Sequence, residues 1–385
     1  MKNVFIEGLG LVEGHFSGVG QYILGIVRGI DELIEKDKIQ GKETPNVRVI
    51  IPCDTVEKFK KYKFKHIGYK AFPMHFRYMG ALDHRNKLPP LDLICGQGFY
   101  VFTRFAAMPL MFSKYINIVY DLSFEVCREY SDEANARYLS PRTRMAVDGA
   151  VKVITISNSA KKEIVDFYNI DKNKILVATP AADQHTLYRR GKNEIEVVKK
   201  KYGIKGNYIL ALSNLEPRKN LEGLVDAYCD LPKTIRDKTG LLLVGVTGWK
   251  ADKLFKKIIA KVNDGFNIMR PSDYVSDDDK PAILSGADML VYPSHYEGFG
   301  MPPLEALACG TPVITSNNSS LPEVVGKCGI MVNSSDTKAL KEAIILTIKD
   351  SSIKEAAIVY GPKQAEKFNW NKSAKIYYDT IKENI

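Results

Sequence analysis

Residues 292–323 read "YPSHYEGFGMPPLEALACGTPVITSNNSSLPE", and this stretch carries more about fold and function than any other part of the 385-residue chain. It places two carboxylates, Glu297 and Glu305, around a glycine-rich turn, Gly298–Gly300, that runs into a segment with helical character. Amide N–H groups released at such a turn and at the helix start form a partly positive cradle for anionic oxygens. Pro302 and Pro303 suit the first helical turn, where a missing N–H costs little. Glu305 lies about two turns beyond Glu297 if the helix is regular, so the two acids can face different parts of one ligand. A nucleotide sugar has that layout, with a diphosphate in the middle and hydroxyls at both ends. Two glutamates beside a loop are ordinarily solvated; the string around them is what separates this pair from chance.

The spacing and the surrounding string resemble the E-x7-E signature of the retaining glycosyltransferases of family 4, which have the GT-B fold. The resemblance implies an α/β architecture of two Rossmann-like domains facing across a cleft, with a C-terminal helix crossing back to the N-domain. It also implies that Glu305 holds the ribose hydroxyls and Glu297 contacts the transferred sugar, with Gly298, Phe299, Gly300, Met301 and Leu304 lining the donor site.

Length and composition agree. A chain of 385 residues suits two α/β domains of similar size. A hydrophobic content of 45% and a charged content of 26% belong to a globular protein. No apolar run approaches the ~18 residues of a membrane span. The N-terminus has no signal-peptide pattern, so a cytoplasmic location is expected. Cys53, Cys95, Cys127, Cys229, Cys309 and Cys328 are scattered, with no C-x-x-C pair and no zinc spacing, and read as reduced thiols.

The net charge of +10 predicts an anionic partner. Lysines and arginines cluster in residues 56–87, interleaved with Phe59, Tyr62, Phe64, Tyr69, Phe72, Phe76 and Tyr78. Cations among aromatics suit an anionic membrane surface and equally single-stranded nucleic acid, while a solvated face over a few core rings is the plainer alternative. Because the family often works on lipid-linked acceptors, peripheral contact with the inner face of the plasma membrane is preferred, and nucleic acid is not expected.

Short β-branched runs alternate with amphipathic segments, which predicts βα repeats. Expected N-domain strands are 4–6, 47–51, 91–95, 116–120, 153–156 and 175–177; expected C-domain strands are 208–212, 241–244, 289–292 and 313–314. The polar stretch Tyr188–Lys205 is placed as the linker. The N-domain then spans 1–190 with a tail of about 366–385, whose periodicity runs through Trp370, Ala374, Tyr377 and Ile381, and the C-domain spans 206–365.

By resemblance, "NLEPRKN" supplies Arg218 and Lys219 as the cations that stabilise the leaving diphosphate, with Ser213 where some relatives carry a further arginine. Tyr274 and Val275 fall in the segment that lines the nucleobase pocket. Gly18 and Gly20 match the glycine loop that meets the donor phosphate from the N-domain. Asp121 matches an acid near the catalytic centre, but Tyr120 stands where many relatives have histidine, so either its hydroxyl replaces the imidazole or the contact is missing. Asn158 reads as a helix cap. Asp277, Asp278 and Asp279 read as N-capping acids rather than a metal site. The expected activity is retaining, metal-independent and cofactor-free transfer of a hexose, mannose first. The donor is GDP-mannose or a UDP-sugar, and the acceptor a glycan or lipid-linked glycan of the lipopolysaccharide type. A nucleotide-sugar epimerase or hydrolase, and a non-catalytic glycan-binding homologue, are the alternatives.

Overall fold

The computed structural model describes residues 2–13, 18–85, 87–183 and 185–385. It divides into two compact units, one of residues 1–180 with 369–385 and the other of residues 181–368.

In the first unit, strands β1 (Asn3–Glu7), β2 (Asn46–Pro52), β3 (Gly68–Phe72), β4 (Phe99–Phe102), β5 (Lys114–Ile118), β6 (Lys152–Thr155) and β7 (Ile175–Val177) form a parallel sheet in the order β3-β2-β1-β4-β5-β6-β7. In the second, β8 (Asn207–Leu212), β9 (Thr239–Val244), β10 (Ile268–Met269), β11 (Met289–Tyr292), β12 (Val313–Ser316) and β13 (Gly329–Val332) form a parallel sheet in the order β10-β9-β8-β11-β12-β13. Helices link most of these strands; β4 and β5 are joined by a loop. A sheet covered on both faces buries its central strands completely, and β4, β9 and β11 are buried at every position. Each order reverses once, between β1 and β4 and between β8 and β11. Open parallel sheets bind ligands beyond the carboxyl ends of the strands at such a reversal.

Several expectations are corrected here. Residues 91–95 form a short helix, not a strand. Pro90 precedes its first turn, and the buried Asp92 carboxylate accepts from the amides of Met111, Phe112 and Ser113. The aromatic run at β4 is the strand instead. The other unexpected strands, β3, β10 and β13, lie at sheet edges, where one neighbour suffices and alternation is weak. The stretch 188–205 is not a linker: Lys192–Lys201 is a helix of the second unit, and the Arg190 amide donates to Ser285 Oγ. Its charge marks a solvated helix face.

The helix Trp370–Asn384 packs on the helix Gly18–Ile39 in the first unit, as the periodicity of the tail predicts. The Tyr22 hydroxyl lies 3.2 Å from the Tyr377 hydroxyl and donates to Ala178 O, and Tyr378 donates to Asp37. Trp370 meets Tyr22 edge-on at 5.7 Å. Gly25 and Gly29 make this approach possible. A Cβ on Gly25 would lie 2.5 Å from the Trp370 ring, and one on Gly29 would lie 2.4 Å from Ala374 Cβ.

On an isolated helix Gly→Ala gains about 1 kcal/mol through propensity. Here Gly25→Ala is expected to lose about 1–3 kcal/mol, because the rigid indole must move. A thermal melt that rises for this variant would refute the packing.

Candidate active site

The carboxyl end of β8 leads into Ser213–Asn220 and that of β11 into Pro293–Gly300, the two segments that flank the strand reversal of the second sheet. The first closes in a short 3-10 turn, Pro217–Lys219, ended by Asn220 in the left-handed region at φ 52°. Asn220 is pinned by its Nδ2 donating to Ser334 O. The second ends at Gly300, whose φ of 110° favours glycine, and the helix Met301–Ala308 starts there with its prolines in the first turn. Glu297 therefore sits before the helix and Glu305 within it.

Glu297 is 7% exposed and Lys219 is 7% exposed. Lys219 Nζ lies 2.6 Å from Glu297 Oε1 and 2.9 Å from the Tyr292 hydroxyl. Arg218 reaches Glu297 Oε2 at 3.3 Å, donates to Tyr296 O at 2.9 Å and pairs with Glu216 at 2.9 Å. Burial by itself would push the Glu297 carboxyl up, but Lys219 and Arg218 reverse the effect and hold it down to about 2. Burial pulls Lys219 below the ordinary lysine range, against the attraction of Glu297.

The loop that carries Glu297 is tied from behind. Its amide donates to Ser319 Oγ, and Ser320 Oγ donates to the carbonyls of Glu297 and Phe299. At the end of β8, Ser213 Oγ is buried with no hydrogen-bond partner among the described residues.

Glu305 is 4% exposed, and its Oε1 accepts from Lys280 Nζ at 2.7 Å. Burial raises the Glu305 carboxyl, and Lys280 opposes that rise. Lys280 is itself raised: burial works against its charge, but Glu305 and Asp277 outweigh it. Lys280 begins the helix Lys280–Gly286.

The structure thus brings Glu297, Arg218 and Lys219 into one cluster, with the backbone of Gly298–Met301 running from it into the helix that holds Glu305. Leu304 is fully buried, a packing residue of that helix. Phe299 is also buried, against Phe368. Tyr274 is exposed and Val275 half-buried on the segment before Lys280. Gly18, Gly20 and Asp121 belong to the first unit. Gly18 and Gly20 open the long helix of that unit, and residues 14–17 before them lie outside the described residues. Asp121 follows β5, and its Oδ1 accepts from the Ser123 amide in a local turn.

Three readings change, and the two alternatives at Tyr120 narrow to one. The Tyr120 hydroxyl donates to Thr103 O, and its ring packs edge-on against Tyr22 and Phe105, so it is a core residue and not a substitute imidazole. Ser157, not Asn158, caps its helix by accepting from Ala160 N. Asp279 does not cap by its side chain; its carboxylate accepts from Lys201, Tyr202 and Ser276. Rings of the basic segment pack on one another: Phe59, buried, meets Tyr62, Phe64 and Tyr69 at centroid separations of 5.5–6.3 Å. Of these four only Phe59 is buried; Tyr62 and Phe64 are half-buried, Tyr69 is 40% exposed and Tyr78 is 64% exposed.

Sequence reasoning missed Tyr292, Lys280, Ser319 and Ser320. Both serines and Tyr292 stand in the opening stretch, but nothing in a linear string says which hydroxyl turns inward.

Residues 194–364 match the family described as Glycosyl transferases group 1. The O-antigen chain mannosyltransferase B of Escherichia coli is 34% identical over 263 residues, covering 68% of each chain. The chain belongs to the group 1 glycosyltransferases. It is therefore a sugar-transferring enzyme of that family. The E. coli serotype-specific mannosyltransferase WbdA is 27% identical over 252 residues, and the match spans 30% of that longer protein. Among solved structures, Anabaena HepE in complex with UDP-glucose aligns over 100% of both chains with a TM-score of 0.71 at 15% identity. WaaG, a glycosyltransferase involved in lipopolysaccharide biosynthesis, aligns over 98% of this chain and 99% of its own with a TM-score of 0.68 at 17% identity. These two share the fold, a pair of Rossmann-like parallel-sheet domains, with this glycosyltransferase.

The buried pair sets a stability test. Glu297→Gln leaves the Lys219 cation buried without its counter-charge and is expected to cost about 3–5 kcal/mol at neutral pH. The Glu297 carboxyl is lower in the folded chain than its ordinary 4.5, so its stabilisation is complete above that value and fades as pH falls toward about 2. The stability gap between wild type and variant should therefore close over that acid range, as followed by urea titration. A gap that stays constant from pH 7 to pH 2.5 would contradict the ionised pair.

Proposed function

We propose that the enzyme transfers mannose, with retention and without a metal or other cofactor, from a nucleoside diphosphate sugar to a hydroxyl of a growing, lipid-linked glycan of the O-antigen type. GDP-mannose is the first candidate donor and a UDP-sugar the second. The observation that carries the reading is the buried cluster of Arg218, Lys219 and Glu297 beside the glycine turn of a parallel-sheet strand reversal. The mannosyltransferase names of the E. coli relatives support the sugar and the acceptor class.

In this reading Arg218 and Lys219 meet the donor diphosphate. An ammonium has three N–H donors and a guanidinium five, so both can serve a carboxylate and a phosphate oxygen together. As the bond to the sugar breaks, negative charge grows on the leaving diphosphate, and preorganised cations in a poorly solvated site bind that charge more strongly than the ground state. Glu297 orients the sugar hydroxyls, and Glu305 grips the ribose. Tyr274 and Val275 lie at the base end. By resemblance Gly18, Gly20 and Asp121 are further donor contacts. The leaving phosphate itself takes the acceptor proton, so that transfer proceeds on one face of the sugar.

The enzyme works at the cytoplasmic face of the membrane as a peripheral protein. Lysines of residues 58–63 provide electrostatic attraction, beside the mutually packed rings of Phe59, Tyr62 and Phe64.

Incubation with GDP-mannose and a lipid-linked oligosaccharide should yield an axial α-mannoside by NMR, unaffected by EDTA. Arg218→Ala should lower kcat about 10²–10³-fold. Unchanged turnover in Glu297→Ala, or free mannose released as the main product, would overturn the assignment. Charge reversal of Lys58, Lys60, Lys61 and Lys63 should reduce co-sedimentation with anionic liposomes while leaving turnover of a soluble acceptor intact; unaltered sedimentation would remove the membrane contact.

A further inference from the structure

Lys280 joins two helices by pairing at 2.7 Å with Glu305, 25 positions away in sequence, and it also lies 3.4 Å from Asp277. Its side chain is 16% exposed and that of Glu305 is 6% exposed. A lysine is poorly suited to this place for the helix alone, since the first turn favours negative charge. Nor does fold stability account for it, because apolar replacements of a buried ion pair are commonly as stable as the pair. The immediate surroundings hold two carboxylates against one ammonium, which repels phosphate and attracts hydroxyl donors. Lys280 occupies Oε1 of Glu305, and among the described residues Oε2 takes no hydrogen bond. A carboxylate that must accept from two vicinal hydroxyls needs a fixed plane, and a cation on one oxygen supplies it.

We propose that Lys280 is a positioning residue for the ribose end of the donor: its ammonium holds the Glu305 carboxylate in the orientation that accepts from the nucleotide's 2′- and 3′-hydroxyls. The proposal rests on the donor-site reading above, in which Glu305 meets the ribose. It explains why Lys280 stands directly after the segment of Tyr274 and Val275, at the base end of the same ligand. Lys280 acts through Glu305 and touches no reacting atom.

The test uses the full-length enzyme and calorimetric binding of GDP and UDP, each beside its 2′,3′-dideoxy counterpart. Lys280→Met is expected to weaken binding of the ribonucleotide about tenfold, as the loss of one charge-assisted contact would do. Affinity for the dideoxy nucleotide should stay unchanged, and Lys280→Arg should recover most of the loss. In the steady state KM for the donor rises while kcat holds. Glu305→Ala should erase the preference for ribose, and adding Lys280→Met to it should cost nothing further. Should Lys280→Met not fold by circular dichroism, Lys280→Gln takes its place. Equal loss for ribo- and dideoxy nucleotides, or no loss at all, overturns the role of Lys280. If Glu305→Ala keeps the full preference for ribose, the donor-site reading fails first, and Lys280 with it.

Discussion

A carboxylate with almost no access to water, held between an ammonium and a guanidinium, is the interaction on which the second unit depends. Glu297 survives as an anion there only because Lys219 and Arg218 sit 2.6 Å and 3.3 Å from its two oxygens. Leaving any of these charges unpaired would cost several kcal/mol. The backbone around them is accordingly over-determined. Asn220 takes a left-handed conformation, Gly300 takes one that favours glycine, and Ser319 and Ser320 fasten the Glu297 loop through its amide and carbonyls. Those hydrogen bonds hold the Glu297 loop in place, the kind of preorganisation that electrostatic catalysis requires.

Glu297 and Glu305 are chemically the same side chain in opposite circumstances. Two cations face Glu297 and drive its carboxyl far down, whereas burial prevails at Glu305 and moves it up against one lysine. The first suits a site that handles polyanions, the second a site that handles neutral hydroxyls. One helix start separates them: Glu297 stands before the helix Met301–Ala308 and Glu305 within it.

The first unit is organised by close approach instead of by charge. Gly25 and Gly29 let the terminal helix lie against the long helix, and Tyr22 ties Tyr377, Ala178 and the ring of Tyr120 into one buried aromatic group. That group explains why a tyrosine stands at position 120. Its hydroxyl satisfies a backbone carbonyl in the core, a demand that a motif alignment has no means of expressing.

Strand runs rich in β-branched residues, the alternation with amphipathic segments and the period of the tail are local patterns, and they specified the βα repeats, the returning helix and the position of the glycine turn. The E-x7-E string, with Glu216–Lys219, pointed to the same residues that the fold gathers into one site. What the chain alone left open are matters of partnership across long sequence separations. Whether "LDLIC" becomes strand or helix is decided by Asp92 reaching amides at 111–113. Edge strands exist because one neighbour accepts them. The aspartate run before Lys280 serves side chains 77 and 78 positions away, and Lys280 finds Glu305 only when two helices are laid side by side. Periodicity records which face of an element is buried; it cannot record which charge on another element that face will meet, because that pairing comes into being only with the tertiary fold.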